Sequence, residues 1–147
     1  MTDFTQEELL ANLQVNALSP LWLCRAFAAQ QRAGAVVNFL DTRISDYDRE
    51  HAAYHLSKRM LHALTKMLAL ELAPRIRVNA VAPGLILPPP GQDETYLRRH
   101  INTNPLRRIG TPEGVAAAAL FLLRSAFVTG QVIYVDGGRH LKGCVYG

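Results

Sequence analysis

Cysteine is scarce in this 147-residue sequence, and the two present, Cys24 and Cys144, lie far apart with no metal-ligand spacing. That excludes a disulfide framework or a zinc knot as the organising device; the two read as reduced thiols of a cytoplasmic protein, and no metal is expected. Long hydrophobic runs are missing too. The longest, VAAAALFLL at 115–123, is far too short to cross a bilayer, so no membrane partner is expected. The opening MTDFTQEELL has neither the charged start nor the apolar core of a signal peptide. Aromatics are only 7% of the residues, and the basic ones are scattered apart from Arg98-Arg99-His100 and Arg107-Arg108, which argues against a nucleic-acid groove. Finally, the ten glycines form no G-x-G-x-x-G, so the sequence offers no recognisable turn for cradling dinucleotide phosphates.

What is present describes one domain with one core. Hydrophobic residues make up 49% and charged residues 19%, with a formal charge of +4. That mild basicity suits an anionic small molecule.

The chain alternates between helical and strand-like patterns. Thr5 followed by Glu8 forms a capping box, after which Leu9, Leu10, Leu13, Leu18, Leu21, Trp22 and Phe27 recur at helical spacing. Pro20 either kinks this helix or sits where its missing N–H is tolerated, and Gly34 ends it. AVVNFL (35–40) reads as a strand covered on both faces. After a polar loop, residues 51–72 are helical, with Leu56, Met60, Leu64, Met67 and Leu68 as the apolar stripe. IRVNAVAP (76–83) is a second buried strand, stopped by Pro83-Gly84. LPPPGQ breaks regular structure, a short helix covers about 93–101, and Thr111 caps a helix with Pro112 at its first position that runs to Arg124. QVIYVDGG supplies a third strand and a turn. This alternation predicts an α/β fold with parallel strands and right-handed helical crossovers.

The chemistry-bearing stretch is YHLSK, residues 54–58. Residues four apart on a helix share a face, so Tyr54 and Lys58 set a phenol beside an ammonium. A nearby positive charge lowers a tyrosine pKa, and a phenol so tuned donates a proton near neutral pH. Taken alone, the pattern is common, and a half-buried ring beside a solvated lysine is the bland alternative.

The surrounding motifs carry a resemblance. YHLSK resembles the active-site helix of the short-chain dehydrogenase/reductase family, and RVNAVAPG (77–84) its next strand and Pro-Gly turn. LQVNALSPLWL is similar to the helix bearing its catalytic asparagine, and GTPEGVAAAALFLLRSAFVTGQVIYVDGG to its last helix, last strand and Asp-Gly-Gly. The resemblance implies the C-terminal part of a Rossmann-like doubly wound parallel sheet of about three strands. Residues 1–147 would then be a single partial domain, the catalytic and substrate-side half, without the N-terminal half that binds dinucleotide phosphates. One edge of the AVVNFL strand is then expected to be unpaired.

Roles follow by resemblance. Tyr54 would donate the proton, Lys58 would lower its pKa and bind the nicotinamide ribose, and Asn16 would hold a water linking Lys58 to solvent. Pro83, Gly84, Leu85 and Ile86 would shape the backbone facing the nicotinamide of NADP(H), with NAD(H) left open, while Pro88 replaces a threonine that many members use there. Where most members have a serine, this chain has Asp41. That aspartate is similar to pteridine reductases and dihydromonapterin reductases, in which a carboxyl assists the tyrosine in protonating a pterin ring nitrogen; the alternative is an aspartate that merely caps a loop. The implied function is an NADPH-dependent reductase of a pteridine-like small molecule, in a homo-oligomer (dimer or tetramer). The alternatives are a carbonyl or 3-oxoacyl reductase, and a non-catalytic remnant that only oligomerises.

Overall fold

The computed structural model describes residues 4–45 and 50–142, so Cys144 lies outside the described residues. Its centre is a three-stranded parallel sheet in the order β1 (Gly34–Phe39), β2 (Ile76–Pro83), β3 (Val132–Val135). Gly34 pairs with Ile76 at one end of the sheet and Pro83 with Val135 at the other. Helices α1 (Gln6–Leu13), α2 (Ser19–Ala29) and α3 (Ala52–Glu71) form one layer, and α5 (Pro112–Arg124) covers the opposite face. The short α4 (Glu94–Arg99) and α6 (Arg139–Lys142) lie in the connections beyond the strand ends. The expected α/β architecture is therefore the one observed. Among the described residues no helix is long and apolar enough to cross a membrane.

Local chemistry explains the boundaries. The capping box forms as expected: Glu8 N–H donates to Thr5 Oγ1 at 3.1 Å, and Thr5 N–H donates to the Glu8 carboxylate at 2.7 Å. Thr111 Oγ1 accepts Gly114 N–H at 3.2 Å, with Pro112 opening α5. The first helix departs from the expectation. A π-helical turn, Gln14–Leu18, separates α1 from α2, so Pro20 falls in the first turn of α2, where its missing N–H does not break the helix. Gly34 does not end that helix, which stops at Ala29; it opens β1, where any Cβ would come within 2.5 Å of the Phe27 ring.

β2 is the most buried element. Ile76, Val78, Ala80 and Ala82 face the α1–α3 layer, where they meet Ala17, Cys24, Leu61 and Leu68. Val81 faces Val115 and Leu122 of α5. Arg77 and Asn79 on that second face are polar. Arg77 donates to the Leu122 and Leu123 carbonyls at 2.8 Å each, closing the C-terminus of α5, where a cation suits the helix dipole. Asn79 is fully buried and bridges Val128 O and Gln131 N–H, aligning β3.

The apolar stripe expected on α3 is shifted. Its buried face is Ala52, Ala53, His55, Ser57, Leu61, Thr65, Leu68 and Ala69, whereas Leu56 is exposed and Met67 is 54% exposed. Small residues make this face because the helix lies close against β2 and the π turn. β1 has a neighbour on one side only. Its open edge, together with Val15, Leu23 and Phe27, borders an apolar groove of about 520 Å³.

Leu122 is completely buried between α5 and β2. Leu122→Ala is expected to lower unfolding free energy by about 2–5 kcal/mol, whereas truncation of the fully exposed Phe127 leaves it nearly unchanged. Denaturant melts of the two variants check this.

Candidate active site

The C-terminal ends of parallel strands are the usual ligand side of such a sheet, and the chemically capable side chains gather there. Beyond β1, Leu40 N–H still pairs with Val81 O at 2.8 Å. Asp41 follows in extended conformation and caps the 3₁₀ turn Thr42–Ile44, its Oδ1 accepting Arg43 N–H at 2.7 Å. The second oxygen, Oδ2, accepts the hydroxyl of Tyr54 at 3.1 Å. Asp41 thus does cap a loop, and it also holds the phenol.

Tyr54 and Lys58 project from consecutive turns of α3 toward the sheet. Lys58 Nζ donates to Phe39 O at 2.9 Å and lies 5.7 Å from the Tyr54 ring centroid. The electrostatic balance differs from the sequence expectation. Burial raises the Tyr54 pKa well above the ordinary tyrosine value, and the charge and hydrogen bond of Asp41 raise it further. Burial also lowers that of Lys58, against an opposing pull from Asp41. The neighbouring carboxylate and desolvation outweigh the ammonium, so the phenol is held protonated.

Asn16 sits in the π turn, and its Nδ2 donates to Ser57 Oγ at 3.1 Å and to Asn12 Oδ1 at 3.5 Å. Ser57 in turn donates to Tyr54 O at 2.7 Å. The asparagine therefore meets α3 between Tyr54 and Lys58 through Ser57. At the end of β2, Gly84 N–H donates to Val135 O at 3.0 Å, and a Cβ on Gly84 would lie 2.6 Å from Asp136 Cβ. Glycine is required there by this close approach. Leu85 is buried, with its carbonyl accepting Gly110 N–H at 2.9 Å, and Ile86 turns into the core beneath α5.

The candidate residues fall around two hollows. Asp41, Tyr54, Gly84 and Leu85 line a cleft of about 480 Å³, together with Pro89 and Pro90 of the proline-rich connection, Tyr96 of α4 and Arg139. Asn16 and Lys58 line the groove along the open edge of β1. Pro83 and Ile86 line neither.

Sequence reasoning passed over Asp136. This carboxylate is 6% exposed, and its Oδ2 accepts the Thr42 hydroxyl, His140 N–H at 2.8 Å and His140 Nδ1 at 2.9 Å. Its Oδ1 accepts Gly138 N–H at 2.9 Å. Burial works to raise its pKa, but the hydrogen bonds from Thr42, His140 and Gly138 prevail and lower it. The signal was present in Asp-Gly-Gly, because an aspartate followed by two glycines marks a turn folded back on its own carboxylate. Both glycines have positive φ, 64° and 84°.

The chain is similar to known reductases in sequence and fold. Residues 1–140 match the family model described as enoyl-(acyl carrier protein) reductase. Carbonyl reductase family member 4 of Danio rerio is 39% identical over 141 residues, covering 92% of this chain and 58% of that protein. Dihydromonapterin reductase of Citrobacter koseri is 33% identical over 139 residues, covering 91% and 58%. The FolM alternative dihydrofolate reductase 1 of Brucella canis, solved in complex with NADP, superposes with a TM-score of 0.90 at 30% identity, over all of this chain and 59% of that one. The chain thus spans a little over half the length of these relatives.

The Tyr54 environment has a pH consequence. A raised pKa leaves stability unchanged below the ordinary tyrosine value near 10; above it stability falls, because the unfolded chain releases the proton first. In alkaline ultraviolet titration, the tyrosine signal that Tyr54→Phe removes is expected to stay silent beyond the ordinary tyrosine range, whereas Asp41→Asn brings it back toward that range.

Proposed function

The chain belongs to the short-chain dehydrogenase/reductase family, and from that premise we propose that it is the catalytic half of an NADP(H)-dependent reductase acting on a pterin-like heterocycle. The observation that carries this reading is the 3.1 Å hydrogen bond between the Tyr54 hydroxyl and Asp41. A carboxylate beside the proton donor opposes an alkoxide, the charge that builds up when a ketone is reduced. The same carboxylate favours a ring nitrogen that becomes positive as it gains a proton. Asp41 therefore suits reduction of a C=N bond better than of a C=O bond. Dihydromonapterin reductase and the FolM protein among the relatives support the same substrate class.

The residues present fit the nicotinamide end of the cofactor. Lys58 and Tyr54 flank the strand end, and Gly84 leaves backbone uncovered in the cleft. When bound, the reduced nicotinamide supplies the hydride, and NADH carries the same chemistry. Lys58 Nζ would donate to ribose hydroxyls from the groove side. Tyr54 Oη would pass its proton to the substrate nitrogen, with Asp41 Oδ2 fixing where the phenol points. Asn16 steadies the first turn of α3 through Ser57 rather than by touching the reactants. Leu85, Pro89 and Pro90 line the cleft.

Residues 1–147 would form a partial domain, and a homo-oligomer belongs to the same proposal. Trp22 and Leu23 on α2, Met67 and Leu70 on α3, and Leu120, Phe121 and Leu123 on α5 are all exposed, more apolar surface than isolated positions explain.

Two measurements test the reading. NADPH binding is followed by energy transfer from Trp22, the single tryptophan; saturation supports a cofactor site in this chain, and no binding at millimolar nucleotide favours a non-catalytic role. With turnover on dihydropterins, Tyr54→Phe is expected to lower kcat by roughly 10²–10⁴-fold. Asp41→Ser is expected to shift preference toward ketones; an unchanged preference removes Asp41 from substrate selection.

A further inference from the structure

The proposed chemistry makes no use of Asp136, although it is the most heavily hydrogen-bonded carboxylate at the strand ends. Thr42, only 3% exposed, donates its hydroxyl to Asp136 Oδ2 and directly follows Asp41 in the chain. Two consecutive residues therefore reach in two directions: Asp41 to Tyr54 on α3, and Thr42 to the turn after β3. Within the turn, Asp41 Oδ1 holds Arg43 N–H at 2.7 Å and Ser45 Oγ donates to Thr42 O at 3.0 Å. These bonds shape the turn but do not fix it to the sheet, whereas the Thr42–Asp136 bond does.

We propose that Asp136 is a positioning residue for the Asp41–Tyr54 pair, acting through the Thr42 hydroxyl. It deepens the reading above and takes its functional meaning from it, but the geometry can be tested without turnover. A threonine hydroxyl has one proton, and here it is committed to a carboxylate, a strong and directional bond. The carboxylate is itself immobilised. Its other oxygen is held by Gly138, the His140 ring stacks on Tyr134 at 3.9 Å, and its Cβ is wedged against Gly84. The anchor thus carries the position of β2 and β3 to the one aspartate that holds the phenol proton. Asp136 touches none of the reacting groups.

The test is the alkaline titration of Tyr54 in Thr42→Val, which keeps the shape and loses the hydroxyl, and in Thr42→Ser, which keeps the hydroxyl. Thr42→Val is expected to shift Tyr54 ionisation down toward the ordinary tyrosine range while the melting transition stays cooperative, and Thr42→Ser to restore the silent phenol. Where turnover is measurable, Thr42→Val is expected to lower kcat by about tenfold to a hundredfold with little change in KM. A Thr42→Val chain that folds and titrates like the unsubstituted one overturns the inference while leaving the Asp41–Tyr54 pair intact. An unsubstituted chain whose Tyr54 already ionises in the ordinary range removes the pair itself, and the anchor with it. Should Thr42→Val fail to fold, proton NMR of the unsubstituted chain decides: a slowly exchanging Thr42 hydroxyl proton supports the anchor, and rapid exchange overturns it.

Discussion

A buried negative charge at the C-terminal end of the sheet sets the terms for everything around it. Asp136 must stay ionised and nearly dry, so each of its oxygens needs donors, and the chain supplies them from two separate segments. Thr42 comes from the turn after β1; Gly138 and His140 come from the turn after β3. The turn after β2 contributes no donor but must be glycine at position 84 to let the aspartate come so close. One carboxylate thereby ties together the three strand ends around which the candidate residues collect. Removing it would strand several donors at once, among them the Thr42 hydroxyl beside Asp41.

The same electrostatics govern the proton donor. Tyr54 lies between an ammonium and a carboxylate, and distance and hydrogen bonding decide between them. The carboxylate bonds the phenol directly, while the ammonium is turned aside to a backbone carbonyl at Phe39. With desolvation added, the phenol keeps its proton over the whole physiological range.

Much of the fold was legible in the chain because local rules and tertiary packing agree. Thr5–Glu8, Thr111 and Pro112 act at helix starts, and the β-branched runs became strands. The misreadings occur where a neighbour overrules local pattern. Leu56 and Met67 fit a helical stripe, but the close approach of α3 to β2 admits alanine, serine and threonine instead. Gly34 looked like a helix stop, but its requirement is steric: the ring of Phe27, on the preceding helix, folds back over the start of β1 and excludes a side chain there. The π turn at Gln14–Leu18 has no local composition cue, and it places Asn16 against Ser57.

The sequence by itself determined the order of strands and helices, the spacing of Tyr54 and Lys58 on one helix face, and the presence of a carboxylate where a hydroxyl is usual. These depend on periodicity, capping and residue identity, which act over a few residues. Only the tertiary structure decided which oxygen the Tyr54 proton faces, which way the Tyr54 and Lys58 pKa values move, and that Asp136 anchors Thr42. Those properties depend on burial and on distances between segments as many as 94 residues apart, and no local rule carries that information.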